Sequence, residues 1–138
     1  MADLHENTMG EAKGTTLEDA VDANFRGETA EIGLYLAMAI RAQAEGYAEV
    51  ADVLKTIANE EAGHAARFAL LNGKISANTK DNIEKMIAGE KGANKAKMES
   101  AVKAQTEAGA ETAELFAEAS RDEARHARML EGLLKRYF

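Results

Sequence analysis

Shifted by 62 positions, the first half of this chain falls on the second. Gly27-Glu28 lands on Gly89-Glu90, Ala42-Gln43 on Ala104-Gln105, Glu45 on Glu107, and Ala48-Glu49 on Ala110-Glu111. Glu61-Ala62-x-His64-Ala65 lands on Glu123-Ala124-x-His126-Ala127. No gap is needed. Agreement at Ala and Glu alone would mean little in a chain rich in both, so the weight rests on Gly, Gln and His falling in register. Repeated segments 27–71 and 89–133 imply pseudo-two-fold symmetry, with one central feature built twice.

The repeated unit reads as a helical hairpin. Leu, Ile, Val and Phe number only 25 of 138 residues, about 18%, and the formal charge is −7, a combination that raises the possibility of disorder. Alanine reverses that reading: there are 29, with no proline to interrupt them, and Ala, Glu, Lys, Leu and Arg dominate from Leu17 onward. Residues 1–14 are polar, without apolar period, and read as a flexible arm ahead of a single domain, 15–138. Thr15 or Thr16 offers an N-cap, and a first helix runs to about Glu45 with the stripe Leu17, Val21, Phe25, Ile32, Tyr35, Met38, Ala39 and Ala42. A second, carrying Val50, Val53, Leu54, Ile57, Ala58, Phe68 and Leu71, stops at Asn72-Gly73. A third runs from about Thr79 to Ala108, and a fourth, with Leu115, Phe116, Ala119, Leu130, Leu133 and Leu134, ends near Phe138. The fold class expected is all-α, a four-helix bundle.

Composition excludes several functions. With a pI near 5.0 and scattered basic residues, neither nucleic acid nor an anionic membrane surface is an expected partner. No apolar run approaches the roughly 18 residues of a membrane span, and the polar start has no signal-peptide segment, so a cytoplasmic location is the default expectation. The chain has no cysteine, which removes disulfides, thiol catalysis and metal–thiolate sites from it. Any metal must be held by His and carboxylates.

Each repeat supplies such a set. Glu28 and Glu90 sit mid-way along the first helix of each hairpin; Glu61 with His64, and Glu123 with His126, form Glu-x-x-His pairs in the second. Positions i and i+3 share a helix face, so each carboxylate and imidazole can converge on one ion. The pairs lie in the apolar stripes, between Ile57 and Phe68 and between Ala119 and Leu130, which points them inward. Burying four glutamates and two histidines uncompensated is strongly unfavourable; two divalent cations would compensate four carboxylates. A lone Glu-x-x-His is usually a surface ion pair. Two copies, each 33 residues after a mid-helix Glu (61 − 28 and 123 − 90), are not.

The arrangement resembles that of ferritin-like dinuclear carboxylate proteins, and over about residues 17–137 it is most similar to the rubrerythrins. The carrying motifs are Arg26-Gly27-Glu28-Thr29, Asn59-Glu60-Glu61-Ala62-Gly63-His64-Ala65, Ala88-Gly89-Glu90 and Asp122-Glu123-Ala124-Arg125-His126-Ala127. The resemblance implies two irons bound by Glu28, Glu61, Glu90 and Glu123, with Glu61 and Glu123 as bridging candidates and His64 and His126 each capping one iron. Tyr35 matches a family tyrosine that hydrogen-bonds a ligand carboxylate; a core tyrosine is the competing reading. Glu60 and Asp122, each four residues before a His, are candidates to orient the histidine of the opposite hairpin, with surface acids as the alternative. His5 has no partner at ligand spacing, and Met38, Met98 and Met129 fit helix packing.

Two departures from the family pattern matter. Rubrerythrins usually carry a further Glu three residues after the third-helix ligand; here that position is Ala93, while its repeat mate is Glu31. Glu31 is a candidate seventh ligand of the kind seen in symerythrin-like relatives, or else a solvated charge. No four-cysteine rubredoxin module is present in this sequence, so electrons are expected from a separate donor such as a rubredoxin. The activity implied is reduction of hydrogen peroxide in oxidative stress defence. Standing against it are a ferroxidase or iron-handling role, a symerythrin-like oxidase using dioxygen, and a metal-free helical structural protein. Manganese or zinc could occupy the same ligands.

The spacing also bears on assembly. In the ferritin-like bundle the second and third helices run the same way, so their connection crosses the bundle's length. With the second helix extending about 8 residues past His64 and the third beginning about 11 before Glu90, the ends lie roughly 28 Å apart. A link of 6 or 7 residues spans at most about 24 Å. A domain-swapped homodimer is therefore expected, each metal pair shared between the first hairpin of one chain and the second of another.

Overall fold

The computed structural model describes residues 8–138. It has four helices: α1 (Glu18–Ala44), α2 (Ala48–Leu71), α3 (Thr79–Glu107) and α4 (Ala110–Tyr137). Among the described residues there is no strand, so the all-α expectation holds. The chain divides into two compact units, Met1–Ala77 and Asn78–Phe138, each an antiparallel helical hairpin.

In the first hairpin α1 ends in a tight turn. Gly46, at φ +89°, takes the left-handed conformation that lets the Gly46 N–H reach the Gln43 carbonyl (3.1 Å) and the Tyr47 N–H reach that of Ala42 (2.9 Å). This two-bond closure satisfies carbonyls that the helix end leaves without partners. The same device ends α2: Gly73, at φ +59°, donates to Leu70 O (3.0 Å) and Lys74 to Ala69 O (3.0 Å). Asn72 Nδ2 donates to Glu18 O (3.1 Å), and Lys74 pairs with Asp22 and lies over the Phe25 ring. The end of α2 is thereby fastened to the start of α1.

The second hairpin turns at Ala108-Gly109, where both backbone N–H groups donate to Ala104 O at 3.0 Å. Its first helix is capped by Asn78, whose side chain accepts from the Asp81 N–H at 3.2 Å. α4 begins with Glu111 and ends with Lys135 and Arg136, charges that suit the two ends of its dipole.

Alanine forms the interior. The buried residues of the first hairpin are Ala39, Ala42, Ala51, Ala58 and Ala65; those of the second are Ala101, Ala104, Ala113, Ser120 and Ala127. Adding 62 to the first set gives the second, position for position. Along α2 and α4 these residues recur every seven positions, the spacing of a straight interhelical seam. Small side chains there let the helices approach to the short end of the usual range, about 8 Å. Several large apolar residues expected in the interior lie instead on the surface of the single chain: Leu17, Met38, Val50, Val53, Leu115 and Leu133 are all exposed. A two-helix seam filled by alanine has no room for them.

The termini of the elements depart slightly from expectation. The N-cap position of α1 is Leu17, not Thr15 or Thr16, and has no side-chain cap; Thr15 Oγ1 instead accepts the Leu17 N–H (3.2 Å), two residues ahead of the cap position. Of the flexible arm expected over residues 1–14, residues 1–7, His5 among them, lie outside the described residues. Residues 8–14 form hydrogen-bonded turns against the end of α2, with Gly10 N donating to Leu70 O (2.8 Å) and Ala12 N to Leu71 O (3.0 Å). The free carbonyls at that helix terminus supply the reason. No helix among the described residues is long and apolar enough to cross a membrane.

Candidate metal centre

Within the first hairpin, Glu28 of α1 faces Glu61 and His64 of α2. Within the second, Glu90 of α3 faces Glu123 and His126 of α4. In each triad one carboxylate or imidazole atom per residue lies within 4.8 Å of the others, and among the described residues these are the two groups that could hold a metal ion. His64 Nδ1 lies 3.1 Å from Glu61 Oε2 and 3.8 Å from Glu28 Oε2. His126 Nδ1 lies 3.3 Å from Glu123 Oε2 and 3.5 Å from Glu90 Oε2. The same atoms meet in the same order twice.

Two buried acceptors test whether the triads suit a cation. Glu28 Oε2 and Glu90 Oε2 are shielded from solvent and have no hydrogen-bond donor. A buried carboxylate oxygen without a partner is disfavoured, and here it occurs on the repeat-matched pair, facing the other members of each triad. Oxygen and imidazole donors at this spacing fit a divalent transition metal.

The two carboxyls of each triad shift one another's proton affinity. The neighbouring Glu61 carboxyl raises Glu28 above the ordinary glutamate value, helped by burial and by the nearby charge of Glu31; Glu123 and burial do the same to Glu90. The partners move the other way. Glu61 is lowered by its hydrogen bond with Glu28 and by His64. Glu123 is lowered to about 2 by Glu90, by Lys97 and by His126. In each hairpin one carboxyl is raised and its partner lowered, the pattern of two acids crowded at one site, which a bound cation would relieve.

The remaining candidates fall outside this convergence. Glu31 is exposed and lines a shallow groove with Glu28, Gly27, Asn24 and Ala23, one helical turn from the triad. Tyr35 is half-buried, and its hydroxyl has no hydrogen-bond partner among the described residues, so the expected bond to a carboxylate is not formed in the hairpin. Asp122 accepts from Arg125 Nη2 (2.8 Å) on its own helix, and Glu60 is exposed. A second groove, beside Glu28 and His64, is lined by Arg67, Phe68 and Leu71.

Two features of the second hairpin escaped the sequence reading. Lys97 forms an ion pair with Glu123 Oε1. Asn94 Nδ2 donates to Ser120 O (2.7 Å) and Ser120 Oγ (2.9 Å), while Ser120 Oγ donates to Asn94 O (2.9 Å). A signal existed for the lysine: it stands seven residues after Glu90, as Tyr35 stands seven after Glu28.

Comparison with known proteins agrees with this geometry. The family model described as Rubrerythrin matches residues 19–134. An uncharacterised protein of Methanocaldococcus jannaschii is 58% identical over 136 residues, covering 98% of this chain and 96% of its own. Reverse rubrerythrin-1 of Clostridium acetobutylicum is 45% identical over 136 residues, covering 96% of this chain and 75% of its own.

Proposed function

Because the chain belongs to the rubrerythrin family, we propose that it is a non-haem diiron oxidoreductase that reduces hydrogen peroxide with electrons from an external donor protein. The observation that carries the metal assignment is the matched pair of donorless buried oxygens, Glu28 Oε2 and Glu90 Oε2, each within a Glu–Glu–His triad. Glu28, Glu61 and His64 would hold one side of the centre, and Glu90, Glu123 and His126 the other. Iron bound there supplies two reducing equivalents, which matches the demand of cleaving the O–O bond to give water. The chain's own residues fix ligand spacing through the alanine seams and balance the metal charge with four carboxylates.

Anaerobic loading with ferrous iron, followed by stopped-flow comparison of reoxidation by peroxide and by dioxygen, tests the reading. About two ions per chain are expected to bind, with faster reaction toward peroxide. Faster reaction with dioxygen would favour a symerythrin-like oxidase, for which Glu31 beside Glu28 is the relevant acid. Sustained uptake of iron beyond the site would favour a ferroxidase.

We also propose that the complete centre forms between two chains. α2 ends seven residues after His64 and α3 starts eleven before Glu90, so a bundle that levels the two triads must separate those helix ends by about 27 Å along its axis. Residues 72–74 are wound into the closure at Gly73 and Asn78 caps α3, which leaves only residues 75–78 to extend, about 14 Å at most. An exchanged homodimer removes that conflict. Paired variants test it: chains carrying His64→Ala and chains carrying His126→Ala, folded together, regain one intact six-ligand centre per heterodimer only if hairpins are exchanged. A monomer at micromolar concentration would overturn the proposal.

A further inference from the structure

The two triads have the same ligands but not the same surroundings. Lys97 lies two helical turns beyond Glu90 on α3, and its ammonium pairs with Glu123 Oε1; both side chains are largely shielded, at 32% and 17% exposure. Under the repeat its counterpart is Tyr35, which is uncharged, and the counterpart of Glu123 is Glu61. Among the described residues no Lys or Arg forms an ion pair with Glu28 or Glu61, which pair only with His64. One half of the centre therefore carries a fixed positive charge that the other lacks.

The atoms involved make the difference directional. Glu123 presents Oε2 toward His126 Nδ1 and gives Oε1 to Lys97. Glu61 also presents Oε2 toward its histidine, but no ammonium holds its Oε1. A divalent ion entering the second triad meets a monovalent cation already on one of its ligands, close enough for repulsion to act through a poorly solvated gap. It must either displace Lys97 from Glu123 or accept that carboxylate through one oxygen. An ion entering the first triad meets neither restriction.

We propose that Lys97 is a positioning residue that makes the two metal positions unequal: the position served by Glu28, Glu61 and His64 fills first, and that served by Glu90, Glu123 and His126 fills second and more weakly. This rests on the dinuclear reading above. Lys97 holds Oε1 of Glu123 and leaves Oε2 toward His126, whereas no ammonium holds either oxygen of Glu61. The second triad then carries a fixed positive charge that the first lacks.

Titration of the metal-free full-length protein with Mn²⁺, followed by competition with a chelator and by calorimetry, tests this without turnover. Wild type is expected to show two classes of affinity at least about tenfold apart, the scale on which outer partners tune metal ligands. Lys97→Gln should tighten the weaker class by about that factor and bring the two together. Lys97→Arg, which keeps the charge, should leave them apart, and Tyr35→Lys should weaken the tighter class. Circular dichroism establishes that each variant is helical before titration, and the arginine variant separates loss of charge from loss of packing. Two classes unchanged by Lys97→Gln, or a single class in wild type, would overturn the role of Lys97 and leave the dinuclear reading standing. No Mn²⁺ binding by helical wild-type protein would overturn the dinuclear reading itself.

Discussion

The first and second hairpins agree where they bury alanine and place ligands, and disagree in what lies between. Their five buried positions and three triad members coincide under the shift of 62. Yet Ile32 and Ala58 of the first become Asn94 and Ser120 of the second, Tyr35 becomes Lys97, and Glu31 becomes Ala93. What repeats is the part that sets helix spacing and donor geometry. What differs is charge and polarity, which can change around the two triads without moving their donor atoms.

The largest expected effect lies in the shared part. Glu61→Ala and Glu123→Ala should each lower metal affinity by about a hundredfold or more, beyond the range of outer-partner substitutions, as measured by chelator competition. A loss confined to one of them would break the equivalence of the hairpins. Next come the seams. Ala51→Leu and Ala113→Leu each push a large side chain into a space shaped for a methyl group and should destabilise by about 1–3 kcal/mol in denaturant melts. Similar values for both would show that the seams are interchangeable; a much smaller cost in one would mark it as the looser packing.

A smaller effect separates the hairpins. Ser120→Ala removes the hydroxyl that both donates to and accepts from Asn94, at a cost of about 1 kcal/mol. Introducing the first hairpin's residues together, as Asn94→Ile with Ser120→Ala, should be close to neutral, because donor and acceptor then leave as a pair. A double variant as unstable as the single one would mean that the polar clasp holds something the apolar pair cannot.

The subtlest difference is in acid. Glu123 is held at about 2 against an ordinary value of 4.5, so its ionised form stabilises the metal-free hairpin fully above about pH 4.5, and that stabilisation is lost as pH falls toward 2. Glu90, whose value is raised, contributes in the opposite sense: its share is complete below pH 4.5 and fades as pH rises through the raised value. Lys97→Gln should therefore be less stable than wild type at neutral pH, with the gap closing on acidification. Melts at three pH values check this, and a gap that widens toward pH 2 would contradict the ion pair.

Most of the plan was legible in the sequence, because glycine, glutamine and histidine in register are improbable by chance and a helix fixes what i and i+3 can reach. The helix ends at Leu71 and Thr79 followed from Asn72-Gly73 and from the residues before α3. The interior was not legible. Apolar periodicity marks a face but not which neighbour covers it: within each hairpin alanine fills the seam, and Leu17, Val53 and Leu115 lie on faces that the hairpin alone leaves uncovered. Lys97 was missed for a related reason: identities reveal a repeat, whereas this residue matters because it differs from its mate. Asn78 as a cap and residues 8–14 against α2 depend on contacts formed only once the hairpins close.

The closure at Gly73 has a consequence that is better stated in time than in distance. It winds three residues of an already short link and fastens them to α1 through Asn72 and Lys74. In the proposed exchanged dimer, a chain can leave its partner only when both bundles open, since one freed hairpin remains tethered to a hairpin still engaged. Subunit exchange should then be far slower than the opening of either bundle alone. Mixed dimers would have to be made by folding the two chains together, and once made they would keep their partners.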